Sequence, residues 1–268
     1  ISLEHTKYLG TDIESVTGEK CGIIKPGRPV VAAGMEEQAI DVVRRVARER
    51  GCPLIEVSEA VNVSAASVGL KGQKVKVETG ATSYGALTLP LLGRHQLGNL
   101  ATAVAAIEAL DEAAGISVPE DAVKKGVGAV SWPGRFQVLK ESPPMILDGA
   151  HNPGGAAVLA DTLKQLFKRK PIGLVFGMCD DKDIRSYLKP FGKLVKRMWA
   201  VPLKTARSLS VTAVASAGGA MGWTVSEATV SEALGEAETW AKQENGAVCI
   251  AGSLFLVGEV LEIWRNRT

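Results

Sequence analysis

The sequence predicts an α/β protein whose second half is a Rossmann-like, mostly parallel, doubly wound domain. Short apolar runs recur in that half about every 25 residues, separated by amphipathic stretches of helical length. Strands joined by helices run parallel, and right-handed crossovers build a doubly wound sheet. The pattern changes at Trp132-Pro133-Gly134, a linker signal. We therefore predict two domains, residues 1–133 and 134–268.

The first half mixes helices and strands less regularly. Thr11 and Glu14 have capping-box spacing at the start of a helix that ends near Lys20. The other predicted elements are strands over 29–33 and 54–57, a helix over 36–50, short antiparallel strands within 61–90, and helices over 99–114 and from 117 onward. On the helix 99–114 the side chains predicted to face inward are Leu100, Ala103, Val104, Ile107 and Leu110.

The second half alternates more regularly. Strands are predicted to begin near Met145, Ile172, Met198, Trp223 and Val248, and residues 135–139 form a strand that folds back on the first of these. The predicted helices cover 155–168, 182–196, 210–219, 231–245 and 254–265.

Composition excludes several classes of protein. A chain of 268 residues with 46% hydrophobic and 22% charged residues is typical of a globular protein that needs no disulfide or metal ion to fold. The net charge of +2 comes from interspersed charges, so no nucleic-acid partner is predicted. The longest near-apolar stretch, 247–258, is interrupted and too short to span a bilayer, so no membrane partner is predicted.

The cysteine pattern indicates the kind of cellular compartment in which the protein is found. The four cysteines are scattered without a Cys-x-x-Cys pair, which argues against zinc and disulfides and favours a reducing compartment. The predicted location is therefore the cytoplasm. An organelle is left open because the sequence begins at Ile1 without Met, as if a segment preceded it.

Ligands of an open parallel sheet bind beyond the carboxyl ends of its strands, which selects four loops of the second half. These are 148–155, 177–183, 205–208 and 251–253. In the first, glycines allow close backbone approach, and Asp148 and His151 can bind cations or exchange protons. Taken alone, Gly252-Ser253 is more often tight packing of a strand against a helix, and residues 180–183 are more often a solvated helix cap than a site. No Gly-x-Gly-x-x-Gly follows a strand, which argues against a nicotinamide dehydrogenase.

Taken together, several segments resemble the dihydrofolate synthase/folylpolyglutamate synthase family of Mur-type, ATP-dependent amide ligases. They occur in the family's order over nearly the whole chain: SLEHTKYLG, GEKCGIIKPG, GRHQLGNLATA, PGRFQVL, LDGAHNPGG, DDKD and AGSLFLVGE. The resemblance implies that residues 1–133 are the rear part of a central ATPase domain and that 134–268 are the Rossmann-like ligase domain, with the active site between them. It also implies the reaction, in which ATP phosphorylates a carboxylate and the amine of L-glutamate attacks the acyl phosphate. The carboxylate belongs to dihydropteroate or to a folate.

The resemblance assigns two residues to a Mg²⁺ site. His5 matches a histidine that ligates Mg²⁺ beside the γ-phosphate, and Lys20 matches a lysine that this family carbamylates. Carbamylation replaces an ammonium, which would repel the metal, with a carboxylate-like group. It requires a neutral amine first, so the site must lower the pKa of that lysine.

The remaining site residues are also implied by the resemblance. Asn99 matches a contact near the ATP base, Arg135 a contact to phosphate, and Asp148 a polar nucleotide contact. His151 and Ser253 match residues that place the incoming glutamate.

Two departures from the family pattern stand out. The usual Leu-Asp-His is Leu3-Glu4-His5, and no Gly-Lys-Ser/Thr phosphate loop occurs in the chain. We therefore expect no ATP turnover by this polypeptide alone. The beginning at Ile1 favours part of a larger ligase with a missing N-terminal segment. The alternatives are a shortened, catalytically silent homologue that acts as a binding or scaffolding subunit, and an unrelated Rossmann-like enzyme.

Overall fold

The computed structural model describes residues 12–266, and the predicted metal ligand His5 lies outside them. The chain forms two compact units. The first comprises the described residues up to Ser67, Gln73–Pro90 and Arg94–Val130, and the second comprises Val68–Gly72, Leu91–Gly93 and the residues from Ser131 onward. The domain boundary at 133/134 stays a prediction.

The elements up to residue 130 are helices and strands, with three strands in succession between residues 61 and 89. In chain order they are α1 (Ile13–Lys20), β1 (Val30–Ala32), α2 (Glu37–Glu49), β2 (Leu54–Glu56), α3 (Val57–Ala60), β3 (Val61–Gly69), β4 (Gly72–Thr79), β5 (Ser83–Leu89), α4 (His95–Ala114) and α5 (Glu120–Ala129). β1 and β2 pair in parallel. β3, β4 and β5 form a separate three-stranded sheet in which β4 and β5 are antiparallel.

The predicted cap of the first helix is wrong by one residue. The N-cap of α1 is Asp12, whose carboxylate accepts the backbone N–H of Ser15 at 2.8 Å, rather than Thr11. Aspartate is among the strongest N-cap residues because its charged oxygen satisfies an N–H that the helix leaves free.

The inward face predicted for α4 is also partly wrong. Leu110 is 49% exposed, and Ala103 is exposed as well. The buried apolar side chains are Leu100, Ala101, Val104, Ala105 and Ala109. α4 is rich in alanine on every side, so the spacing of apolar residues does not single out one stripe.

The second unit contains the predicted sheet. Its elements are β6 (Gln137–Glu141), β7 (Pro144–Leu147), α6 (Pro153–Leu166), β8 (Ile172–Phe176), α7 (Ile184–Leu188), β9 (Val195–Ala200), α8 (Val211–Ala220), β10 (Thr224–Glu227), α9 (Val230–Gln243), β11 (Ala247–Ala251) and α10 (Leu254–Arg265). The strand order is β10-β9-β8-β11-β7-β6. All neighbouring strands are parallel except β6 and β7, which form the predicted antiparallel hairpin.

Helices cover both faces of this sheet. On one face Ile146, Leu174 and Cys249 pack with side chains of α6, α7 and α8. On the other face Leu147 and Val175 pack with side chains of α9 and α10. Alternate residues of each strand therefore enter opposite cores, and the doubly wound α/β fold is confirmed.

One predicted helix of this unit is too long. The helix expected over 182–196 ends at Leu188 and continues as a single 3₁₀ turn, Lys189–Phe191. Pro190 lacks an amide hydrogen, and Gly192 takes a positive φ of 30°, so the helix cannot continue.

Two further findings concern the cysteines and membrane-spanning helices. All four cysteines are free thiols. Within the described range 12–266, no helix has the length and apolarity needed to cross a membrane.

Candidate functional site

The four loops selected from the sequence meet at one pocket of the second unit. It has a volume of about 190 Å³ and lies beyond the carboxyl ends of β7, β8, β9 and β11. The lining residues are His151, Cys179, Asp181, Lys182, Arg207, Gly252, Ser253, Leu254 and Phe255. β11 lies between β7 and β8, so loops distant in sequence become neighbours where the strand order is interrupted.

The carbonyl of Ala150 ties the loop after β7 to its neighbours. It accepts the backbone N–H of Gly252 at 3.1 Å and the hydroxyl of Tyr187 at 3.0 Å. Tyr187 is fully buried, and burial raises the pKa of its hydroxyl well above 10. The residue before His151 is therefore held from two sides.

Gly252 allows the loops after β11 and β8 to approach closely. Its φ of 114° lies in a region that other residues avoid, and a Cβ here would be 2.4 Å from the carbonyl oxygen of Gly177. The glycine is required by both conformation and space.

Asp148 shapes the same loop through both carboxylate oxygens. Oδ1 accepts the N–H of Ala150 at 2.7 Å, and Oδ2 accepts the N–H of Phe136 at 2.8 Å. Burial raises the pKa of Asp148, against the opposing effects of these bonds and of nearby Arg135 and His151. Phe136 has φ 44°, a strained conformation for a bulky residue, and the bond to Asp148 helps to hold it.

His151 enters the pocket with a defined tautomer. Its Nδ1 lies 2.9 Å from the carbonyl oxygen of Gly149. A carbonyl can only accept, so Nδ1 carries the hydrogen in the neutral ring and Nε2 offers a lone pair. The next residue, Asn152, caps α6 by accepting the N–H of Gly155 at 2.7 Å.

Ser253 lies at the start of α10 and is 3% exposed. Its Oγ accepts the N–H of Phe255 at 3.1 Å as the N-cap, which leaves the hydroxyl hydrogen available as a donor. The serine is thus a structural cap and a potential ligand-binding group at once.

The pocket also carries charges of both signs. Lys182 Nζ lies 2.9 Å from Asp181 Oδ2, and this hydrogen bond is the main reason that the pKa of Asp181 is lowered. Arg207 lies over the ring of Phe255, with 5.6 Å between its Cζ and the ring centroid. The arrangement offers two cations, one carboxylate and one imidazole to a small polar ligand.

Arg135 belongs to a turn that packs on α10. Its N–H donates to the carbonyl of Trp132 at 3.3 Å, and Gly134 takes φ 71°. A Cβ on Gly134 would lie 2.7 Å from Cγ1 of Val257. One Arg135 nitrogen lies 3.6 Å from where a Cβ of Gly149 would be, so the exposed cation is adjacent to the Asp148 loop.

The first unit contains the two other predicted site residues that the structure describes. Lys20 is the exposed last residue of α1. Asn99 is exposed on α4, and its Nδ2 donates to Oε1 of Gln96 at 2.9 Å. Within residues 12–266, no group of three His, Cys, Asp or Glu side chains could hold a metal ion. The metal and nucleotide contacts of these residues stay predictions.

Two residues around the pocket were not predicted from the sequence. Tyr187 is one tyrosine in a short helix, and no motif marks it. Phe255 follows Gly252-Ser253 by two residues, so its nearness to that turn is the signal that could have identified it.

Comparisons with known proteins agree on one family. The profile of the family described as "Mur ligase, glutamate ligase domain" matches residues 134–254. The chain is 33% identical over 189 residues to the dihydrofolate synthase/folylpolyglutamate synthase of Bacillus subtilis, covering 70% of this chain and 44% of that protein. It is 32% identical over 263 residues to the Escherichia coli enzyme of the same name, covering 98% and 58%.

Solved structures give the same result. The structure of E. coli FolC in complex with DHPP and ADP matches with a TM-score of 0.84 and 31% identity, covering 100% of this chain and 60% of that one. Mycobacterium tuberculosis folylpolyglutamate synthase complexed with ADP and AMPPCP matches with a TM-score of 0.84 and 27% identity, covering 98% and 62%. The chain thus spans about half the length of the curated relatives it matches.

Proposed function

The chain belongs to the dihydrofolate synthase/folylpolyglutamate synthase family, and on this premise we propose that the protein is an ATP-dependent ligase. It joins L-glutamate to dihydropteroate or to a folate that already carries glutamate. The observation that carries the proposal is the convergence of His151, Ser253 and the charged residues on one pocket beyond the parallel strands.

The reaction proceeds through an acyl phosphate. The γ-phosphate of ATP passes to the carboxylate of the folate substrate, and the glutamate nitrogen then attacks the acyl carbon. A C–N bond forms, the C–O bond to phosphate breaks, and inorganic phosphate leaves with the bonding electrons. The amine gives up protons during the attack, so a proton acceptor near the nitrogen promotes it.

The pocket supplies groups for glutamate. Nε2 of His151 accepts a hydrogen from the amino group, and the Ser253 hydroxyl donates to a carboxylate. Arg207, and Lys182 beside its partner Asp181, supply positive charge near the glutamate carboxylates. An amino acid with two carboxylates, such as glutamate, matches this set of groups, which supports the proposed acceptor.

The nucleotide is bound by other residues. Arg135 neutralises phosphate charge, Asn99 binds near the base, and Asp148 holds the loop between Arg135 and His151 in shape. His5 and Lys20, the latter after carbamylation, would hold Mg²⁺, which would supply positive charge at the transferred phosphoryl group. The chain has no Gly-Lys-Ser/Thr phosphate loop, so we expect no ATP turnover by these 268 residues alone.

The proposal is tested on the complete gene product by phosphate release in the presence of ATP, Mg²⁺ and glutamate. Release should depend on dihydropteroate or tetrahydrofolate, and its absence would overturn the ligase assignment in favour of a silent, binding homologue. His151→Ala should reduce kcat/KM roughly a hundredfold or more, as expected for a positioned proton acceptor. Lys168→Ala is the control and should leave the rate unchanged, because this exposed residue precedes the amino end of β8, whereas the pocket lies beyond the carboxyl ends of the strands.

A further inference from the structure

Phe255 is a large apolar side chain that remains 43% exposed at the rim of a charged pocket. Its ring faces the guanidinium of Arg207, whose Cζ lies 5.6 Å from the ring centroid. That distance is within the range of a cation–π interaction. The exposed ring therefore contacts a cation that also lines the pocket.

The backbone of Arg207 is fixed, but its side chain is long and exposed. The carbonyl of Arg207 accepts the N–H of Asp180 at 2.8 Å, and Ser208 forms a β-bridge with Cys179. These bonds hold the loop after β9 against the loop after β8. They leave the direction of the guanidinium to its side-chain contacts.

Two side chains of α10, Phe255 and Glu259, each contact a cation of this loop. Glu259 lies one helical turn beyond Phe255, and its Oε1 is 3.3 Å from Nζ of Lys204. The first contact directs Arg207, which lines the pocket, and the second anchors Lys204, which does not line it.

The contact with the Phe255 ring leaves the N–H donors of Arg207 available to a ligand. A guanidinium lying over a ring keeps its N–H donors in its own plane, where they can form paired hydrogen bonds to a carboxylate. The nearby carboxylate of Asp181 is engaged by Lys182 at 2.9 Å.

We propose that Phe255 is a positioning residue that holds the Arg207 guanidinium at the pocket, where it binds a carboxylate of the incoming amino acid. The inference rests on the proposed ligase function and adds a specificity-determining pair to it. Phe255 acts through Arg207, so its effect is confined to the amino-acid substrate.

The experiment measures steady-state kinetics of the complete gene product with Phe255→Leu, which removes the ring and keeps apolar bulk. The loss of an exposed cation–π contact should raise KM for glutamate roughly two- to fivefold. kcat and KM for ATP should stay unchanged. Phe255→Tyr and Phe255→Trp keep a ring and should retain a KM close to that of the unmodified protein.

Two further variants separate positioning from other effects. In an Arg207→Gln background, Phe255→Leu should cause no additional rise in KM, because there is no cation left to direct. Glu259→Gln, which affects the same loop outside the pocket, is the control and should leave KM for glutamate unchanged.

Equal effects of Phe255→Leu with and without Arg207 would overturn the inference, and so would a Trp variant that behaves like the Leu variant. An unmodified protein without glutamate-dependent activity would instead contradict the proposed function itself.

Discussion

Replacing Tyr187 with Phe isolates the hydroxyl that holds the loop before His151. The ring is fully buried, and Phe fills the same volume, so the change removes one hydrogen bond of 3.0 Å and little else. A typical bond of this kind contributes about 0.5–1.5 kcal/mol. The carbonyl of Ala150 keeps the N–H of Gly252 at 3.1 Å, so no acceptor is left unpaired. We therefore expect a loss of about 0.5–1 kcal/mol in the free energy of unfolding.

Urea denaturation of the 268-residue chain, monitored by circular dichroism, measures this loss. For a chain of this size the change corresponds to a fall in Tm of about 1–4 °C. Tyr187→Leu is the comparison: it also creates a cavity and should cost about 2–5 kcal/mol. If the Phe variant were as stable as the unmodified chain, or more stable, the hydroxyl would contribute nothing and the reasoning would be refuted.

Tyr187→Phe should also change how the free energy of unfolding depends on pH in the alkaline range. The pKa of Tyr187 lies well above 10 in the folded chain because of burial, whereas a tyrosine in the unfolded chain ionises near 10. Above pH 10 the unfolded state binds fewer protons, so the free energy of unfolding falls as the pH rises. Tyr187→Phe removes this contribution, and its stability should decline less steeply in that range.

Three further substitutions test other features by the same denaturation measurements. Gly252→Ala forces a Cβ to within 2.4 Å of a carbonyl oxygen and should lower the free energy of unfolding by more than about 3 kcal/mol. Gly235→Ala, in the open interior of α9, should instead raise it by about 0.5–1 kcal/mol. Similar effects of the two substitutions would contradict the close approach at Gly252. Ser253→Ala removes a helix cap and should cost about 1 kcal/mol, and no loss would mean that the cap is not formed. Glu238→Gln weakens contacts to two lysines that lower the pKa of this carboxyl. The variant should therefore be less stable than the unmodified chain at pH 7, and this loss of stability should shrink as the pH falls below 4.5. A loss of stability that does not depend on pH would refute this.

The second unit was predictable because its signals are periodic. Apolar runs are flanked by helices with one apolar face, and the rule for parallel sheets then selected the loops that meet at the pocket. The strand order was not predictable in the same way. Nothing in the residues 247–251 alone says that β11 lies between β7 and β8, because that placement depends on the packing of both helical layers.

Local errors had local causes. The capping-box spacing at Thr11 and Glu14 competes with an adjacent aspartate, and the stronger cap, Asp12, prevails. A capping box does occur in the structure, formed by Thr229 and Glu232 at the start of α9.

Only some of the side chains around the pocket could be identified from the sequence. His151 and Ser253 were identified because they lie in motifs at strand ends. The contacts of Tyr187 and Phe255 join residues 37 and 48 positions apart, and no spacing rule covers such pairs.

The place of β11 has a consequence for synthesis on the ribosome. β7 and β8 do not pair with each other, because each pairs with β11, which is made about 70 residues after β8. Until that strand emerges, the hairpin of β6 and β7 has no partner on its inner side, and the loops bearing Asp148 and Cys179 cannot come together. A nascent chain stopped before residue 247 would expose two sheet fragments with unpaired edges, a target for chaperones and for aggregation.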